Sequence, residues 1–125
     1  MNVERSIGLA VVADDSASSA GVARALLAQV GQGANPNTLL ISTSATLAAA
    51  VGDEIRHALL GRPELARLTR EVTPRSIVTV DLADAAAIVT GMRPLLLRVR
   101  LREPGQFLEA LSATREAPRF SQRAA

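Results

Sequence analysis

The run Ile7-Gly8-Leu9-Ala10-Val11-Val12-Ala13 restricts the fold more than any other part of the sequence. It has no polar side chain and stops abruptly at Asp14-Asp15-Ser16. A strand that is apolar on both faces cannot turn either one to water. It belongs inside a sheet with helices on both sides, the pattern of a parallel sheet in an α/β fold. The following segments agree with this. Ser19 to Val30 places Val22, Leu26, Leu27 and Val30 at helical spacing, with the preceding serines and Asp15 available as caps. Gly31 to Asn37 reads as a loop.

Strands and helices then alternate. Thr38–Thr43 predicts a second strand. Residues 45–60 predict a helix with Leu47, Val51, Ile55, Ala58 and Leu59 on one stripe and Gly61 as its stop. Pro63 suits the first turn of a short helix, Pro63–Glu71. Ser76–Val80 predicts a third strand ending on Asp81, and Leu82–Thr90 a helix closed by Gly91. After a turn at Glu103-Pro104-Gly105, residues 106–113 predict a last helix with Phe107, Leu108 and Leu111 inward. Residues 114–125 lose periodicity and read as a mobile tail. With 125 residues there is room for one domain, spanning residues 1–113. The expected class is α/β: a mainly parallel four-stranded sheet with helices packed on it.

The segment Leu95–Arg102 differs from the other strands. Leu97, Val99 and Leu101 alternate with Arg98, Arg100 and Arg102, so one face is apolar and the other cationic. Such a strand is half exposed and belongs at a sheet edge, with an antiparallel setting open to it. Outward side chains on a strand stand roughly 6.5–7 Å apart. A row of guanidinium groups at that spacing, with Arg93 as a further member, would suit an acidic protein surface. It equally suits edge protection by charge, and less well a phosphate backbone.

Composition removes whole classes of chemistry. There is no Cys, hence no thiol nucleophile, disulfide or cysteine metal site. All 14 basic residues are Arg, which removes Schiff-base chemistry and the lysine of a phosphate-binding loop. The two Phe, with no Trp or Tyr, leave no base-stacking platform. With no Lys, Tyr or Cys, almost nothing titrates between neutrality and arginine, so a surplus of only +2 lifts the isoelectric point far up. That surplus is uneven. Three Arg against five acidic residues leave residues 1–61 at −2, and eleven against seven leave residues 62–125 at +4. The start of the chain lacks the pattern of a secretory signal and no run approaches membrane-spanning length, so a cytoplasmic, bacterial protein is expected.

Three places could carry chemistry. Asp14 and Asp15 end the first strand and Asp81 ends the third. If those strands were neighbours, the three carboxylates would share one rim and could hold Mg²⁺. The competing role is helix capping, since Asp and Ser satisfy free N–H groups at helix starts. Ser18-Ser19-Ala20-Gly21 could also cradle a phosphate at a helix N-terminus, although Asp14 and Asp15 put negative charge there. His57 lies four residues after Asp53 and three after Glu54, which gives an acid–base pair on a polar helix face. Asp14, Asp15 and Asp81 resemble the acidic set of response-regulator receivers, and the serine loop is similar to that of anti-sigma-factor antagonists. The missing Lys and the short stretch after Asp81 depart from the first pattern, and the early position of Ser19 from the second.

The functional expectation is a non-enzymatic α/β module that binds protein partners, a second copy of itself among them, through the strand bearing Arg98, Arg100 and Arg102, with no cofactor. The alternative is a small Mg²⁺-dependent or nucleotide-binding enzyme domain using the strand-end aspartates. A weaker alternative is nucleic-acid binding through the arginine strand.

Overall fold

The structure, a computed structural model, describes residues 6–32 and 35–113. The tail expected at residues 114–125 lies outside these. The elements run β1 (Leu9–Ala13), α1 (Ser19–Gln32), β2 (Thr38–Ser42), α2 (Ala45–Leu59), α3 (Pro63–Glu71), β3 (Arg75–Val78), α4 (Leu82–Met92) and β4 (Leu96–Arg100). A fifth helix, α5, covers residues 104–113. The fold is α/β, as expected: a four-stranded parallel sheet in the order β3-β2-β1-β4.

The apolar strands lie where their sequences require. β1 and β2 are the two central strands and are buried along their whole lengths. Alternate residues feed two cores. Leu9, Val11, Ala13 and Leu40 pack with Val22, Ala23 and Leu26 of α1 and with Leu47 and Val51 of α2. Ala10, Val12, Leu39 and Ile41 pack with Ala85, Ala86 and Val89 of α4 and with Phe107 and Leu111 of α5. Each large side chain moved from water into these cores contributes roughly 1.5–3 kcal/mol. A satellite cluster, Leu27, Val30 and Leu65, joins α1 to α3.

Local chemistry sets most helix ends. The hydroxyl of Ser44 accepts the N–H of Leu47 at 3.0 Å and starts α2. Asp81 does the same for α4, accepting the N–H of Asp84 at 2.9 Å. Pro63 stands in the first turn of α3. Two expectations need correction. Gly91 does not close α4. The helix runs on to Met92, and Arg93 ends it in the left-handed conformation (φ 51°), its N–H bonded to the carbonyl of Val89. The turn expected at Glu103-Pro104-Gly105 is shorter, because Pro104 already belongs to α5. Proline is compatible with a first helical turn, where its missing N–H has no partner to lose.

β4 is an edge strand, and it pairs parallel with β1: Leu9 lies opposite Leu96, Val11 opposite Arg98 and Ala13 opposite Arg100. The antiparallel option is excluded. The connection through α4 carries the chain from one edge of the sheet to the other, on the face opposite α1 and α2.

Candidate functional site

In open α/β sheets, ligands bind beyond the carboxyl ends of the strands at the point where the strand order reverses. The strands here progress from β1 to β2 to β3 and then return to β4 on the other side of β1. The reversal therefore lies between β1 and β4. Asp14, Asp15 and the start of α1 stand at the carboxyl end of β1, and Arg100 and Arg102 at that of β4.

The residues there hold one another. Asp14 donates its N–H to the carbonyl of Arg100 (3.3 Å), and its Oδ2 accepts the N–H of Arg102 (3.0 Å). Its Oδ1 accepts both the N–H (3.0 Å) and the hydroxyl of Ser16. Asp15 Oδ1 lies 3.2 Å from Arg102 Nη2 in an exposed ion pair. Ser18 Oγ accepts the N–H of Gly21 at 3.1 Å and satisfies one of the free donors at the start of α1. Partial burial works to raise the Asp14 pKa. The hydrogen bonds from the Ser16 hydroxyl, the Arg102 N–H and the Ser16 N–H, together with the Arg102 charge, outweigh it and hold the carboxyl below its ordinary value.

Asp81 is not part of this site. β2 separates β1 from β3, so the rim that would bring Asp14, Asp15 and Asp81 together does not form. Asp81 caps α4, and its carbonyl accepts the hydroxyl of Thr79. Among the described residues no group of three His, Cys, Asp or Glu side chains could hold a metal ion. The Mg²⁺ site expected from these aspartates is thereby corrected: two strand ends that look alike in sequence lie two strands apart. Nor do His57 and Asp53 assemble. His57 is exposed on the outer side of α2, and Asp53 pairs with Arg56.

Arg98, Arg100 and Arg102 form the exposed row that the alternation predicts, but only Arg102 has a carboxylate partner among the described residues. Arg93 stands apart from them. It caps α4 before the amino end of β4, at the opposite end of the strand from Arg102.

At that opposite end lies a polar cluster the sequence reading did not single out. Gln29, 8% exposed, donates from Nε2 to the carbonyl of Asn35 at 2.7 Å. Asn35 Nδ2 donates to Ser6 Oγ at 2.9 Å, and Asn35 Oδ1 accepts from the Asn37 side chain at 3.1 Å. The signal was present: Gln29 follows Val22 by seven and Leu26 by three, on the buried stripe of α1. Its neutral amide secures the connection into β2 and offers no acid–base group.

The comparisons with known proteins settle the family. The family model described as histidinol dehydrogenase matches residues 7–115. The chain belongs to the histidinol dehydrogenase family. Histidinol dehydrogenase from Yersinia pestis is 33% identical over 103 residues, covering 81% of this chain and 23% of its own length. That from Xanthomonas oryzae pv. oryzae is 38% identical over 105 residues, covering 82% and 24%. The crystal structure of histidinol dehydrogenase from Elizabethkingia anophelis matches the fold with a TM-score of 0.75 at 20% identity, over 89% of this chain and 26% of that one. The chain thus spans about a quarter of the length of these relatives.

Membership in the histidinol dehydrogenase family overturns two expectations. A non-enzymatic interaction module gives way to a piece of a metabolic enzyme family. The expectation of no cofactor also gives way, because a dehydrogenase must pass its substrate's electrons to an acceptor. Scarcity of reactive side chains suggested a binding module. The same scarcity arises when a chain holds only part of a larger enzyme's architecture. Among the described residues, no helix is long and apolar enough to cross a membrane.

Proposed function

We propose that the chain acts as one domain of a histidinol-oxidising dehydrogenase, contributing the parallel sheet and its edges to an enzyme completed by other segments. The family match over residues 7–115 carries this reading. A cytoplasmic setting belongs to the same reading.

Histidinol dehydrogenases use NAD and zinc. The described residues fit neither. Zinc needs a cluster of ligating side chains, and the chain has a single His, no Cys and no suitable group of carboxylates among the described residues. The turn after β1, Asp14-Asp15-Ser16-Ala17-Ser18, lacks the glycines that let a pyrophosphate approach a helix start, and it presents two carboxylates there. No step of the oxidation is therefore assigned to these residues. Their part is to hold a rigid sheet against which the reacting groups are placed.

The test is immunodepletion. An extract of the native cells, freed of this chain by a specific antibody, is assayed for histidinol-dependent NADH formation. The expected result is a loss of that activity, restored when the bound fraction is returned. Unchanged activity after complete depletion overturns the proposal. The purified chain alone is expected to give no NADH.

A further inference from the structure

We propose that the free edge of β4 receives an acidic strand, an extended protein segment in which carboxylates alternate with apolar side chains. This goes beyond the dehydrogenase reading and does not depend on it.

Backbone direction comes first. The N–H of Leu96 points to the carbonyl of Gly8, and the carbonyl of Arg100 accepts from Asp14, so both residues turn their backbone groups towards β1. In a parallel ladder every second residue does this, and the intervening residues turn theirs away. Leu97 and Val99 therefore present their N–H and C=O groups at the outer edge, where β4 has no neighbouring strand among the described residues. An incoming strand would find a ready template there.

The side chains then specify the pattern of the occupant. Leu97, Val99 and Leu101 are partly buried and pack against the core formed with α4 and α5. A neighbouring strand with apolar residues on that side would extend this core. On the other side Arg98 and Arg100 are exposed and have no carboxylate partner among the described residues, with Leu96 (53% exposed) beside them. Cross-strand neighbours of opposite charge stabilise a sheet, and like charges destabilise it. Carboxylates two residues apart on the incoming strand match the spacing of Arg98 and Arg100. The same rule disfavours a second copy of β4 as the occupant, because two arginine rows would be placed side by side.

The test uses fluorescence anisotropy with the whole chain and a labelled synthetic peptide alternating Val and Glu. A peptide of the same composition in scrambled order, one alternating Val and Lys, and a single-stranded DNA oligonucleotide serve as competitors. The alternating acidic peptide is expected to bind at least tenfold more tightly than any of these. In Arg98→Glu/Arg100→Glu the preference is expected to reverse towards the Lys peptide, by about tenfold or more, since each tenfold corresponds to one modest charge-pair difference. That reversal also shows that the variant is folded. If the scrambled peptide binds equally, the surface attracts charge and no strand is added, and the proposal fails. It fails as well if the oligonucleotide binds best, if no peptide binds, or if the charge-reversed variant keeps the original preference.

Discussion

Asp14 and Arg102 lie 88 positions apart and meet through one hydrogen bond, from the Arg102 N–H to Asp14 Oδ2 at 3.0 Å. The carboxylate stands where the next carbonyl of β1 would have continued the ladder, so a side chain adds one more rung between β1 and β4. The nearby pair of Asp15 with Arg102 is exposed on both sides and contributes little, up to about 1 kcal/mol. The bond to the backbone, on a carboxylate that also holds Ser16, carries more weight.

Asp14→Asn keeps the shape and removes the charge. It is expected to cost about 1–2 kcal/mol at neutral pH, the range for hydrogen bonds to a charged group reduced for partial exposure. Because the folded-state pKa of Asp14 is lowered, its contribution is fully present above the ordinary carboxylate range and is lost as pH falls from about 4 downwards. Urea unfolding at several pH values should show a shallower acid limb in the variant than in the parent. Parallel limbs would mean that Asp14 does not contribute to the acid sensitivity.

Gly8→Ala tests the other end of β1. A Cβ at Gly8 would overlap the carbonyl oxygen of Asn35 and stand 2.8 Å from Nε2 of Gln29. Those two groups are hydrogen-bonded to each other, so neither can yield without breaking the connection into β2. A loss of about 3 kcal/mol is expected, at the upper end of overpacking costs, read as a lower denaturant midpoint. A near-neutral result would show that the segment around Asn35 rearranges freely.

Thr38→Val is expected to stabilise the protein. Thr38 is 2% exposed, and its hydroxyl has no hydrogen-bond partner among the described residues. Valine has nearly the same shape without the buried polar atom. A gain of about 1 kcal/mol is expected, raising the melting temperature of a domain this small by roughly 4–8 °C. A lower melting temperature would show that the hydroxyl is satisfied.

The elements were largely legible in sequence because apolar pattern and helix punctuation act locally. The uninterrupted run before Asp14 could only be a covered strand, and the alternation before Arg102 could only be a half-exposed one. Neighbour relations were not legible. Parallel strands bond backbone to backbone, so nothing in Ser76–Val80 declares that β2, and not β1, lies beside it. Asp81 therefore passed as a partner for Asp14 when it is a helix cap. Arg93 was missed as the end of α4 because Gly91 is the residue type expected to stop a helix and a left-handed arginine is uncommon. The family was not legible from these residues either, since the described residues carry no cluster of metal-ligating side chains that would point to it.

The strand order has a consequence for how the molecule is made. β1 precedes the other three strands of this sheet in the chain, yet one of its edges stays open until residues 96–100 have emerged. A chain interrupted after α4 would hold its most apolar strand with that edge uncovered, the state most prone to pairing with the wrong molecule. This four-stranded sheet can close only when β4 arrives beside β1, so the order of the strands in the chain sets how long that edge stays open.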